Sequence, residues 1–324
     1  MLITWRAQSA LIAMGLAAAS VACGPAVRAQ PAADRRVAIT IDDLPVSQDS
    51  ASSDADRRRI TAGILAALVR HRVTATGFVN EAKLRGADGQ VDRARVALLR
   101  RWLDAGQELG NHTWSHPDLH RIPAEAYLRE IARGDSVTRL LLAERGARPR
   151  WFRHPFLHTG RSLATRDSVH AFLRGRGYRV APVTIDNYDY LFAVAYRRAR
   201  RKGDDPAAAR IADAYVAYMD TAFGYWEQQS RTLLGRDIPH VLLLHAHELN
   251  ADRLDALLSM MRRRGYRFVP LDSALDDAAH ALPDEYIGPA GMSWIHRWAL
   301  TAGRRGAVFA GEPEVPGWVA ERAR

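Results

Sequence analysis

Short apolar runs rich in β-branched residues alternate with longer stretches of helical spacing along most of this chain. Extended runs fall at residues 37–41, 73–79, 108–111, 150–153, 178–185, 241–244 and 266–270. Helical spacing of apolar residues marks 60–69, 93–103, 124–144, 164–174, 206–234 and 251–263. Strands separated by helix-length segments are not joined as hairpins. They lie parallel, with the helices as crossovers. Seven strand candidates predict an α/β fold, a distorted (β/α) barrel with about seven parallel strands.

Residues 1–29 are expected to be a secretory signal. Arg6 lies in a short basic region, 10–22 are apolar, and Val27-Arg28-Ala29 suits cleavage. The apolar run is too short to span a bilayer well, so no stable membrane span is expected after cleavage. Residues 30–324 are then one catalytic domain, with a C-terminal extension from about 275 to 324 packed on the barrel. The chain is expected in the periplasm or outside the cell. Cys23 raises a lipoprotein alternative, but Ser20 stands where a large aliphatic residue is wanted. Cys23 is the sole cysteine. Any metal in the mature chain must therefore be held by histidine and carboxylate. The formal charge is +10, and Lys83 and Lys202 are the only lysines. The arginines are dispersed and no nucleic-acid motif accompanies them. They read as a solvated surface, with no nucleic-acid partner. Nothing in the sequence specifies an oligomeric state.

The chemically loaded residues fall just past the ends of the strand candidates. Asp42 and Asp43 end the first, and His112 and His116 follow the third. Arg153, Asp189 and His245 follow later ones. In a parallel barrel those ends meet at one mouth. Neighbouring residues of a strand point to opposite sides, so Asp42 and Asp43 can do different jobs. One can ligate a metal while the other accepts a proton. His112 and His116 would present two imidazoles together if their segment formed a helical turn. Together these residues offer the three-ligand set of a hydrolytic zinc site with an open position. Asp189 would hold His245 protonated, and Arg153 would pair with a carboxylate base.

The specific signal is the order of the whole set. Ile39-Thr-Ile-Asp-Asp43, Glu108-Leu-Gly-Asn-His-Thr-Trp-Ser-His-Pro117, Arg150-Trp-Phe-Arg-His-Pro-Phe156, Asp186-Asn-Tyr-Asp-Tyr190 and Leu243-Leu-His245 follow one another along the chain. They resemble the five ordered motifs of polysaccharide deacetylases, carbohydrate esterase family 4. The resemblance covers roughly residues 37–270 and implies a distorted (β/α) barrel. It implies Asp42 as general base, positioned by Arg153. Asp43, His112 and His116 would bind a divalent metal, most often Zn2+ in this family. The backbone N–H of Phe156 would help stabilise the oxyanion. His245, oriented by Asp189, would be the general acid. Leu243 would line the pocket for the acetyl methyl.

The chain departs from the family pattern at Ile41, Phe156, Leu157 and Tyr190. His154 is additional within the third motif. His247 is a second candidate acid two residues beyond His245, and the span from Asp189 to His245 is long. The expected function is metal-dependent removal of N-acetyl groups from a polysaccharide or amino-sugar glycan, releasing acetate. One alternative is an amidase of the same barrel acting on a non-sugar amide. Another is a non-catalytic glycan-binding envelope protein, which would not need base, ligands and acid together.

Overall fold

A computed structural model describes residues 35–48, 50 and 52–324. The expected signal segment and Cys23 lie outside the described residues. The first strand, β1 (Arg36–Leu44), is almost entirely buried. That suits an apolar strand covered on both faces in a parallel sheet. It is followed by α1 (Asp54–Arg70), β2 (Thr76–Val79), α2 (Arg93–Asp104) and β3 (Glu108–Asn111). Ser53 and Asp56 form a reciprocal capping box that starts α1. Asp92 starts α2 by accepting from the backbone of Ala94 and Arg95.

The expected long helix over 124–144 is two helices, α3 (Ala124–Arg133) and α4 (Ser136–Ala143). Two contacts explain the break. A Cβ at Gly134 would overlap the backbone of Thr113 and Trp114, so the loop after β3 packs directly against this point. The buried Glu81 carboxylate accepts from Ser136 Oγ and from the Val137 and Thr138 N–H groups. It thereby begins a new helix where the old one stops.

The chain continues through β4 (Trp151–Phe152), α5 (Leu163–Gly175), β5 (Arg179–Val180), α6 (Asp189–Arg201) and α7 (Asp205–Leu234). It ends through β6 (His240–His245), α8 (Glu248–Arg263), β7 (Arg267–Phe268), α9 (Leu271–Leu275), α10 (Trp294–Thr301) and α11 (Gly317–Ala323). Helix α6 was not read from the sequence. The expected strand at 178–185 is regular only over β5.

The seven strands form one sheet in the order β5-β4-β3-β2-β1-β6, with β7 paired to the start of β1. Every strand pairing is parallel. Beyond β5 the chain runs alongside β6, where Ile185 bridges Leu242. The ladder therefore returns to its starting edge, as a distorted barrel requires. Ile39, Ile41, Leu242 and Leu244 sit in the main core with residues of α1, α7 and α8. The C-terminal segment closes over the seam between β5 and β6. Trp294 donates its N–H to the Val183 carbonyl at 2.7 Å, and Ser293 Oγ donates to that of Thr184 at 3.0 Å. No helix among the described residues is long and apolar enough to cross a membrane.

Candidate active site

The C-terminal ends of β1, β3, β4 and β6 open into one cleft of about 770 Å³. Asp42, Asp43, His112, His116, Phe156 and His245 all line it. Asp42 pairs in register with His245 of the adjacent strand, so that ladder alone sets one carboxylate beside one imidazole.

Asp43, His112 and His116 bring one donor atom each to within 4.8 Å of one another. The segment carrying the histidines is a loop, not the expected helical turn. Thr113 and His116 have φ of 68° and 63°, a left-handed conformation incompatible with a right-handed turn. Asn111 shapes this loop. Its Oδ1 accepts from the Thr113 N–H at 2.7 Å and its amide donates to the Ile131 carbonyl at 2.9 Å. The two imidazoles still face each other edge on, with ring centres 4.8 Å apart. His112 Nδ1–H donates to the Arg153 carbonyl at 2.8 Å, which leaves the Nε2 lone pair facing the cleft. Burial lowers the pKa of both histidines, so both offer the neutral form a metal needs. Burial opposes ionisation of Asp43, but Lys83 and the imidazoles hold it well below the usual carboxylate range. Lys83 Nζ stands 3.0 Å from Asp43 Oδ1. The donor set fits a divalent ion.

Asp42 lies on the other side of this set, with Oδ2 3.7 Å from His112 Nε2. Arg153 Nη1 reaches both its oxygens at 3.3 Å. Burial pushes Asp42 up to about 6, and Arg153 restrains the rise. Arg153 is itself wholly buried. Its remaining donors go to Thr40 Oγ1 at 3.0 Å and the Ala181 carbonyl at 2.9 Å, and its plane lies over Phe78.

His245 and Asp189 form the third part. Asp189 Oδ1 accepts from His245 Nδ1 at 2.7 Å, and Oδ2 accepts from the His245 N–H at 2.9 Å. Burial opposes the charge on His245, but Asp189 raises it to about 9. Nε2 is left toward the cleft. His247 is placed differently. Its Nδ1 accepts from the Asn250 N–H, capping α8, and its Nε2 donates to Asp189 Oδ2 at 3.1 Å. Both its ring nitrogens are engaged within the fold.

Phe156 sits on a 3-10 turn at Pro155–Leu157, with φ of 57°. Its ring meets His116 edge on at 4.6 Å between centres. Leu243 lines the same cleft, as does His154. Several contributors were not found from the sequence. Thr40 was discoverable, since it is two residues before Asp42 on the same strand face. Lys83, Asn250 and Gly291 carried no pattern. A Cβ at Gly291 would overlap the Phe156 carbonyl oxygen, so the C-terminal segment abuts the turn that holds Phe156.

Residues 29–172 match the family model for polysaccharide deacetylase. A peptidoglycan-N-acetylglucosamine deacetylase of Listeria monocytogenes is 23% identical over 74% of this chain and 38% of its own length. The chain thus spans well under half of that relative. A chitin deacetylase of Colletotrichum lindemuthianum is 23% identical over 81% of this chain and 94% of its own. Among solved structures, a family 4 carbohydrate esterase from Streptomyces lividans in complex with acetate aligns at TM-score 0.48. It is 21% identical and covers 75% of this chain and 97% of that one. A family 4 pseudoenzyme from Bacillus anthracis aligns at TM-score 0.44 with 17% identity, covering 76% of this chain and 67% of that one. Residues 29–172 thus match a polysaccharide deacetylase domain, and the ordered motifs carry that likeness on to His245 at the end of β6.

Proposed function

We propose that this protein hydrolyses N-acetyl groups on an amino-sugar glycan and releases acetate. The observation that carries the reading is a base and an acid of opposite character across one cleft. Asp42 is a carboxyl poised near 6, and His245 an imidazolium held to about 9. Two groups whose environments push their pKa values apart divide the roles of proton acceptor and donor.

Asp43, His112 and His116 would hold the divalent ion, with zinc suited to two imidazoles and one carboxylate. Such an ion supplies polarisation of the acetamide carbonyl and acidification of water. Asp42 takes the proton of the attacking water as its oxygen adds to the carbonyl carbon. Arg153 keeps that carboxylate ionised and oriented beforehand. The Phe156 backbone N–H is assigned to the developing oxyanion, and Leu243 to the acetyl methyl. As the carbon–nitrogen bond breaks, His245 Nε2 donates its proton to the leaving nitrogen. Asp189 holds the other side of the ring throughout. A leader at residues 1–29 would deliver the catalytic domain, residues 30–324, to a glycan in the periplasm or outside the cell.

The test is free-acetate release by the zinc-loaded chain from chitooligosaccharides, peptidoglycan, poly-N-acetylglucosamine and acetylated xylan, with His112→Ala as control. Acetate from at least one N-acetylated glycan, lost in the control, is expected. No acetate from any of them, with hydrolysis of simple linear or cyclic amides, would transfer the site to a non-sugar amidase.

A further inference from the structure

Beside His116 and Phe156 stands a second set of metal-type donors that the proposed reaction does not use. Asp118 and His120 lie on the loop after β3, and His158 follows the Phe156 turn. Their donor atoms come within 4.8 Å of one another. The two imidazoles stack almost parallel, with centres 3.9 Å apart and planes 6° apart. His158 Nδ1 and Asp118 Oδ1 face each other at 2.7 Å across a proton that a divalent ion shared by both would replace. His120 Nδ1 is buried with no hydrogen-bond partner among the described residues. Among the described residues, the second oxygen of Asp118 meets the highly exposed Arg121 at 3.4 Å, a pair that an ion would readily displace.

We propose that Asp118, His120 and His158 bind a second divalent transition-metal ion at the rim of the cleft. Two imidazoles and a carboxylate suit zinc, and copper or nickel would bind there too. Magnesium and calcium, which want oxygen ligands, would not. The ion would cross-link two loops. One carries Thr113 and His116 in the left-handed region, and the other carries Phe156 and Leu157 at φ of 57° and 56°. Non-glycine residues there persist only where the surroundings over-determine them. A bond between the loops supplies such a constraint and fixes Phe156 relative to His116.

The experiment is calorimetric zinc titration of the EDTA-stripped full chain, with bound metal counted by mass spectrometry after gel filtration. Wild type is expected to take two ions. His120→Ala and His158→Ala should each take one, and so should His116→Ala. The pair His116→Ala with His158→Ala should take none, with circular dichroism confirming a folded chain. A wild type that takes one ion, matched by both His120→Ala and His158→Ala, overturns the second site. A wild type whose single ion survives His116→Ala and is lost in His158→Ala upholds the rim site and rejects the deeper one.

Discussion

Asp189→Asn should disable the proposed proton donor, His245, while leaving the three proposed ligands in place. Asp189 accepts from the His245 N–H and Nδ1, from His247 Nε2 and from Asn250 Nδ2. Its charge lifts His245 from 6.5 to about 9, against the pull of burial. The gap corresponds to about 3 kcal/mol favouring the imidazolium at about 1.4 kcal/mol per tenfold. Because the folded value exceeds the unfolded one, this stabilisation is full below pH 6.5. It is lost as pH rises through about 9. The metal-free wild type should therefore lose stability over that window in urea denaturation, and the variant should run nearly flat. With His245 back near its ordinary value, roughly a tenth stays protonated at pH 7.5, where nearly all is protonated in the wild type. Amide turnover should fall about tenfold from this cause alone, and turnover of an activated ester less, because a good leaving group needs little protonation. NMR titration of the His245 ring reads the cause directly. A variant ring that still titrates near 9 would refute the reasoning.

Asp42→Asn should keep zinc binding within a few-fold and lower turnover by roughly 10²–10⁴, the usual worth of a general base; zinc calorimetry beside acetate release separates the two. Arg153→Met leaves a buried carboxylate without its partner and should cost about 3–5 kcal/mol in urea unfolding of the metal-free chain at pH 8. The loss should shrink below pH 6 as Asp42 takes up a proton; an equal loss at both pH values contradicts the pairing. Gly291→Ala forces the Phe156 turn aside and should lower kcat with little change in zinc affinity, which steady-state kinetics with calorimetry checks.

The sheet was legible because parallel strands are apolar on both faces, and β1, β3 and β6 stand where such runs were read. That the candidate residues meet in one cleft was legible because strand ends converge in a barrel. What escaped depends on contacts distant in sequence. The break between α3 and α4 is made by Glu81 and by the loop at Thr113, neither visible in the helical periodicity of 124–144. The left-handed residues in 112–116 replaced the expected helical turn because Asn111 ties the Thr113 backbone. His245 was preferred to His247 because it directly ends the apolar run 241–244. Their difference lies in Asn250, whose N–H occupies one ring nitrogen of His247. The rim set of Asp118, His120 and His158 joins two loops whose approach no local pattern announces.

Arg153 links strand β1, the chain leaving β5 and the face of Phe78 while it neutralises Asp42. The same guanidinium thus holds the proposed base and the seam of the barrel together, and this constrains how the sequence can drift. Losing the carboxylate first strands a buried cation, and losing the arginine first strands a buried anion. Either single step crosses a stability valley of about 3–5 kcal/mol, whereas replacing both by well-packed apolar residues is near neutral or better. A descendant that loses the proposed hydrolysis but keeps this barrel is therefore expected to change positions 42 and 153 together, or to acquire a compensating stabilisation before it changes either.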